Sequence, residues 1–256
     1  MRVLMLAPTP FFGDRGCHVR ILEETRALRA QGAAVQVVTY HVGREVPDLP
    51  TTRTPRVPWV RGLPLGFSPH KPYLDLLLLG AALRVARRSR PDVIHAHLHE
   101  GAALATLLGR VLRIPTVADL QGSLTGELVD HDVLPPTGAR IAVIRRIERA
   151  ILRGPTRILA SSGAFATELQ TRWGVPPERI VPFPDGVDPD VFRPGLPCDD
   201  LRRHHGLEGK RVVVFLGVLT RYQGVDDLLA AWPALASRLP DAHLLLMGYP
   251  NDARYR

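Results

Sequence analysis

The feature that most constrains this chain is an alternation that starts at its first residues. Short, continuous runs of β-branched and aliphatic residues take turns with longer segments of helical period. Residues 3–7, 35–40, 92–97 (DVIHAH), 115–119 (PTVAD) and 157–162 (RILASS) have the composition of strands. Each is built on a short, continuous apolar run, so they suit strands covered on both faces. Helical segments are expected at 16–31, 74–90, 101–113 and 139–153, and from 163 to Trp173. Strand–helix units in series give an α/β fold, a Rossmann-like doubly wound parallel sheet.

Within 16–31, Ile21, Leu22, Thr25 and Leu28 share one face and the charged residues take the other, while Gly32 suits the position after the C-cap. In 139–153, Ile141, Ile144, Ile147 and Ile151 share a face, and Arg145, Arg146, Arg149 and Arg153 crowd the other side. That pattern fits a core-packing helix with a solvated face, or a helix resting on an anionic membrane. Residues 42–72 hold seven prolines and no sustained period, as in a long functional or mobile loop.

Proline and glycine cluster again at 192–198 (FRPGLPC in the sequence), as in an inter-domain linker. Residues 1–191 then form one domain. Residues 199–256 begin a second, with strands at 211–217 and 243–248 around a helix at 225–239. Two strands and one helix make the first βαβ unit of a further Rossmann-like domain, not a whole one.

Composition excludes several classes. A hydrophobic share of 45% is enough for a packed core. The net charge of +8 comes almost wholly from arginine, since Lys71 and Lys210 are the only lysines. Such a bias reflects either genome composition or attraction to anionic lipids and phosphorylated substrates. No nucleic acid partner is expected, because a recognition motif is lacking and aromatics are only 6%. The apolar run at the N-terminus is short for a signal peptide, and the stretch 73–86 carries Asp75 and Arg84. Cys17 and Cys198 lie far apart and fit no metal or redox spacing. A cytoplasmic protein is expected, with peripheral contact at the inner face of the membrane as a further expectation.

The chemistry-bearing residues stand at the expected strand ends. The first strand–turn–helix contains Gly13 and Gly16, which permit a tight turn before a helix N-terminus, a natural anion site. The dinucleotide fingerprint is absent, and Tyr40 and His41 stand where a ribose-binding carboxylate would close the second strand. In HAHLHE, alternation puts His95 and His97 on one face, with His99 and Glu100 just beyond. Three histidines and a glutamate have zinc-binding chemistry. Hydrogen-bonded or substrate-contacting histidines explain the motif as well, and no metal and no cofactor are expected. Gln121, Gly122 and Ser123 follow the next strand, where an amide and a hydroxyl can orient a polyol.

The most specific element is PFPDGVDPDVFRP, residues 182–194. Together with the Gly13–Gly16 turn, DVIHAH, RILASS and FLGVLTRYQGVDDLLAA, it makes the whole chain resemble a GT-B glycosyltransferase of the family-4 type. In that family, two Rossmann-like domains face each other across a cleft. The resemblance implies retaining transfer of a sugar from a nucleotide-sugar donor to an acceptor, without a required metal, in a hexosyltransferase-like enzyme. The acceptor would be a sugar, a polyol or a lipid-linked molecule.

The resemblance implies an acceptor side formed by Gly13, Asp14, Arg15, Gly16, His97, Glu100 and Gln121, and a donor side formed by Gly217, Arg221, Gln223 and Gly224. Gln121 stands where the family often has a histidine, and is the one candidate for a catalytic role. The family usually has an arginine after the donor-turn glycine and a lysine before the next one. Here Val218 and Gln223 occupy those positions, with Arg221 nearby. The family's paired glutamates, eight positions apart, do not occur among the nine glutamates of this chain. The expectation is an acceptor domain with a truncated donor domain, incomplete for transfer by itself. The alternative is a catalytically inactive homologue that binds an acceptor or a partner.

Overall fold

The computed structural model describes all residues except 14, 48, 64–67, 131–132, 249–254 and 256. The chain divides into two units, Met1–Asp188 and Pro189–Arg256.

Unit 1 is built on β1 (Arg2–Ala7), β2 (Ala34–Thr39), β3 (Thr51–Arg53), β4 (Val93–His97), β5 (Thr116–Leu120), β6 (Arg157–Ala160) and β7 (Ile180–Pro182). These seven strands form one sheet in the order β3-β2-β1-β4-β5-β6-β7, and every neighbouring pair is parallel. The helices are α1 (Gly16–Ala30), α2 (Lys71–Ser89), α3 (Leu98–Leu112), α4 (Leu124–Asp130), α5 (Ala139–Leu152) and α6 (Gly163–Thr171). This is the Rossmann-like doubly wound sheet expected from the alternation. Strand order reverses between β1 and β4, and crevices at such a switch point open at the carboxyl ends of the strands.

Both faces of the sheet are covered, which is why its strands are mostly apolar. On one face Val3, Met5, Val35 and Val37 pack with Ile21 and Leu22 of α1. On the other, Leu4, Leu6, Val38 and Ile94 pack with Leu74, Leu78 and Ala82 of α2. Helix α1 ends as its sequence suggests: Gln31 caps it and Gly32 follows at φ +81°. A left-handed residue there costs glycine little.

The structure departs from the sequence pattern in four places. The proline-rich segment contains β3, whose Thr51 pairs with Val37 of β2. Arg53 holds the segment by donating to the carbonyls of Phe11, Tyr40, Val42 and Arg44. Such a short edge strand leaves no period to read. Helix α4 lies in a segment where no helix was expected. The charged residues of α1 do not all face solvent, since Arg20 and Glu24 are buried. The inward stripe of α5 is Ile141, Glu148 and Leu152, while Val143 and Ile147 are exposed. Burying Glu148 in place of Ile147 follows from its hydrogen bonds, described below.

Unit 2 contains α7 (Asp199–His204), β8 (Arg211–Leu216), α8 (Val225–Arg238) and β9 (Ala242–Met247). β8 and β9 pair in parallel from Arg211↔Ala242 to Leu216↔Met247, so unit 2 carries one βαβ unit. Val213, Val214, Leu216, Leu246 and Met247 are exposed on its two strands. No helix among the described residues is long and apolar enough to cross a membrane.

Two glycines separate packing from propensity. A Cβ on Gly109, in α3, would lie 2.5 Å from Thr116 Cγ2 and 2.7 Å from the Ile114 carbonyl oxygen, whereas one on Gly80, in α2, would meet nothing within 4 Å. Alanine is favoured over glycine in a helix by about 1 kcal/mol. Gly80→Ala should therefore stabilise by up to about 1 kcal/mol, and Gly109→Ala should destabilise by about 1–3 kcal/mol through overpacking. Urea unfolding checks both; the same sign for the two substitutions would contradict the packing described for α3.

Candidate functional site

The carboxyl edge at the switch point begins with the β1–α1 turn. His18, fully buried on α1, organises it. His18 Nδ1 lies 2.8 Å from the Gly13 nitrogen and 3.1 Å from its carbonyl oxygen, and Nε2 meets Thr9 Oγ1. Thr39, at the end of β2, donates to the Thr9 carbonyl (2.6 Å). Gly13 sits against the imidazole, where a Cβ would approach Nδ1 to 3.2 Å. Arg15 takes the N-cap position of α1 with no side-chain cap, and its guanidinium donates to the Leu63 carbonyl (2.6 Å). Gly16 is the first helical residue, and the first turn holds no acidic residue. The N-terminal dipole of α1 thus meets no carboxylate from its own first turn. Asp14 lies outside the described residues.

One turn further along α1, Arg20 is buried among carboxylates. Its Nε and Nη2 donate to the two oxygens of Asp119, at 2.7 Å each. Nη1 donates to Asp185 (2.6 Å) and Nη2 to the Phe183 carbonyl (2.9 Å). Its Cζ lies 5.2 Å from the centre of the Phe183 ring. The PFPDG segment is therefore tied to α1 and to the end of β5 by one guanidinium. Strand register supplies the next member. His97 pairs with Asp119 across β4 and β5, so the side chains share a face, and His97 Nδ1 lies 3.0 Å from Asp119 Oδ2.

Burial alone would raise the Asp119 carboxyl, but bonds from His97 and Arg20 outweigh it and hold the group well below the usual carboxylate range. Burial pushes the His97 pKa down, against the pull of Asp119. Burial would also lower Arg20, and its bonds to Asp119 and Asp185 hold it above its ordinary value.

His95, on the same face of β4, stacks on His97 with ring centres 4.8 Å apart. Its Nε2 lies 3.2 Å from Glu24 Oε2. His99, in the first turn of α3, faces Glu148 at 3.6 Å, too far for a hydrogen bond. Burial lowers the His99 pKa, and Glu148 acts against it. Glu148 has a different task. It accepts from the backbone N–H groups of Leu124 and Thr125, at 2.9 Å each, and from the Thr125 hydroxyl. A carboxylate on α5 thus caps α4 from outside and fixes the loop that carries Gln121.

Gln121 itself is exposed directly after β5. Glu100 pairs with Lys71 at 2.5 Å. Burial would raise Glu100, but Lys71 brings it below its ordinary value. Lys71 and Glu127 both act electrostatically on Cys17 and on His99. Arg15 also acts on Cys17, and Glu100 on His99. Of the residues expected on the acceptor side, His97 joins the Arg20 network, Glu100 joins Lys71, and Gly13, Arg15 and Gly16 form the turn. Arg20, Glu24, His18, Asp119 and Glu148 have no sequence signal of their own. The spacing that could have found Arg20 is its place one turn into the first helix after a glycine turn.

In unit 2 the expected donor residues meet at one turn. The Gly217 N–H closes β8 by donating to the Met247 carbonyl (2.9 Å). Arg221–Gln223 forms a single 3₁₀ turn with both side chains exposed, and Gly224 follows at φ +76° to start α8. Asp226 and Asp227 occupy the first turn of that helix.

A profile of the glycosyl transferase 4-like domain matches residues 15–186. The D-inositol 3-phosphate glycosyltransferase of Nocardiopsis dassonvillei is 27% identical over 248 residues, covering 90% of this chain and 55% of that protein. The protein of the same name from Frankia alni is 28% identical over 246 residues, covering 90% and 58%. The chain spans about half the length of the curated relatives it matches. Among solved structures, Anabaena HepE in complex with UDP and glucose aligns at a TM-score of 0.71 and 18% identity, covering 100% of this chain and 63% of that one. The catalytic domain of starch synthase IV from Arabidopsis thaliana, bound to ADP and acarbose, aligns at 0.72 and 14%, covering 99% and 69%. These likenesses show the GT-B-type α/β fold.

Beside the site, Tyr40 donates to Asp75 Oδ1 (2.5 Å). Burial raises the Asp75 pKa from 3.8 to about 6, with the Tyr40 bond acting against it. The folded value exceeds the unfolded one. This group's stabilising contribution is therefore complete below the unfolded value and is lost as pH rises through about 6. Asn at this position keeps an acceptor for Tyr40 without the charge. Asp75→Asn should gain on the native protein by up to about 3 kcal/mol between pH 4 and pH 8. Urea unfolding across that range measures it, and identical pH profiles would rule out the buried carboxylate as the cause.

Proposed function

The chain belongs to the glycosyl transferase 4-like family, and from that premise we propose that it serves sugar transfer from a nucleoside diphosphate sugar to a hydroxyl of a phosphorylated polyol. In that reaction the bond from the anomeric carbon to the diphosphate oxygen breaks and a bond from the same carbon to the acceptor oxygen forms. The nucleoside diphosphate leaves with the bonding electron pair, and the acceptor hydroxyl gives up its proton. The names of the relatives, D-inositol 3-phosphate glycosyltransferases, motivate the choice of acceptor.

The observation that carries this reading is the carboxyl edge of unit 1. A glycine turn opens a helix whose first turn has no acidic residue, with Arg15 at its N-cap. Such a terminus favours an anion, and arginine suits phosphate. The exposed Gln121 amide, directly after β5, supplies a polar group of the kind a polyol needs. In unit 2, we assign the donor phosphates to the turn from Gly217 to Gly224. There Gln223 offers a directed hydrogen bond and Arg221 offers charge.

Calorimetric titration of the purified chain with D-inositol 3-phosphate and with UDP, GDP and ADP tests both assignments, and mass spectrometry detects any glycosylated acceptor. Arg15→Ala should weaken inositol phosphate binding at least about tenfold, the worth of a charge-assisted hydrogen bond. Gln223→Lys should tighten nucleoside diphosphate binding by a similar factor. Acceptor binding without product would favour a binding module over an enzyme. A chain that binds neither ligand class and forms no product would remove the proposal.

A further inference from the structure

Beneath Arg20, three buried side chains from α1 and β4 meet without satisfying one another. Glu24 and His95 are each 8% exposed and His97 is fully buried. Asp119, as a carboxylate, can only accept from His97 Nδ1, so that nitrogen carries the proton and Nε2 is the unprotonated end. His97 Nε2 points toward Glu24 Oε2 at 3.9 Å, outside hydrogen-bond reach in any protonation state. His95 Nε2 is 3.2 Å from the same oxygen, yet neither atom makes an aligned hydrogen bond among the described residues. Both Glu24 oxygens are in that condition. Arg20 Nε lies 3.0 Å from Glu24 Oε1, but its one N–H is directed at Asp119. That contact supplies attraction and no directed bond.

A buried carboxylate facing an imidazole lone pair calls for a cation between them. We propose that Glu24, His95 and His97 bind a divalent transition-metal ion of the zinc class. Their ligating atoms all lie within 4.8 Å of one another. A tetrahedral ion about 2.0–2.1 Å from each ligand separates them by about 3.4 Å; the two separations from Glu24, 3.2 and 3.9 Å, bracket that value, and the histidine nitrogens, within 4.8 Å of each other, close on the ion by ring rotation. The two rings are 16° from parallel, so His95 turns about its χ2 to aim its lone pair at the ion. Two imidazoles and one carboxylate suit zinc, cobalt or ferrous iron, whereas calcium and magnesium prefer all-oxygen shells.

Two further features favour the site. Asp119 on His97 Nδ1 is the carboxylate–histidine arrangement that orients metal-binding imidazoles. The surrounding charges are also unbalanced, with Glu24, Asp119 and Asp185 around Arg20. The ion would clasp α1 to β4 and so hold the base of the glycine turn. This assignment is independent of the transferase reading. It departs from the expectation of no metal because Glu24, distant in sequence from HAHLHE, completes the set.

The test uses the whole chain, stripped with a chelator and exchanged into chelator-free buffer, then titrated with Zn²⁺ or Co²⁺ alone. One equivalent should bind, Co²⁺ should give a visible d–d band, and the unfolding midpoint should rise. Glu24→Gln and His95→Asn should each weaken binding at least about tenfold, and Asp119→Asn by about 10–100-fold. Substituting the exposed pair His204→Asn and His205→Asn should change nothing. Loss of binding in the His204/His205 variant but not in the Glu24 and His95 variants overturns the proposal. Should the site variants fail to fold, a folded native chain that takes up no stoichiometric Zn²⁺ and shows no Co²⁺ band overturns it equally.

Discussion

A guanidinium buried between a helix and a sheet must keep its charge paired or the fold loses several kcal/mol. Arg20 directs four of its five N–H groups to partners, two to Asp119, one to Asp185 and one to the Phe183 carbonyl. Those partners come from the end of β5 and the segment after β7, and Arg20 itself comes from the second turn of α1. One charge therefore sets the relation of three chain segments that are far apart in sequence. The β1–α1 turn is placed by the same helix, so the geometry of Gly13, Arg15 and Gly16 depends on it.

The sheet explains why this network sits where it does. Parallel strands end together, and the reversal of strand order between β1 and β4 leaves their carboxyl ends uncovered by a crossover. Residue pairs at those ends share a face by register, as His97 and Asp119 do. Polar side chains can gather there at little cost to the apolar layers below. Glu148 repeats the logic on the far side of β5, where a buried carboxylate satisfies the first N–H groups of α4. Both carboxylates act by supplying acceptors to groups that would otherwise be buried without them.

Much of the fold was legible in the sequence, because an uninterrupted run such as VLMLA leaves a buried parallel strand as the simplest reading. Helices α1, α2, α3, α5 and α6 were legible too, from period and from stops such as Gly32 and Pro91. The site was legible in part. His97, Glu100 and the glycine turn stand at strand ends, which topology alone marks as candidates. Arg20, Glu24 and Glu148 were hidden because helical periodicity assigns charged residues to solvent. Only a partner across space reverses that assignment, and Asp119 becomes that partner once β4 and β5 are in register. Strand β3 was hidden for another reason: three residues between prolines carry no period, and Arg53 holds them through backbone carbonyls.

The claim that the buried Arg20–Asp119 pair organises this edge is tested most directly by a double-mutant cycle. Arg20→Met, Asp119→Asn and the double variant would be unfolded in urea at pH 7 and followed by circular dichroism. Each single change should cost about 3–5 kcal/mol, because it leaves a buried charge without its partner. The double variant should cost little more than either, giving a coupling of at least about 2 kcal/mol. Single costs that simply add, within about 0.5 kcal/mol, would contradict the account.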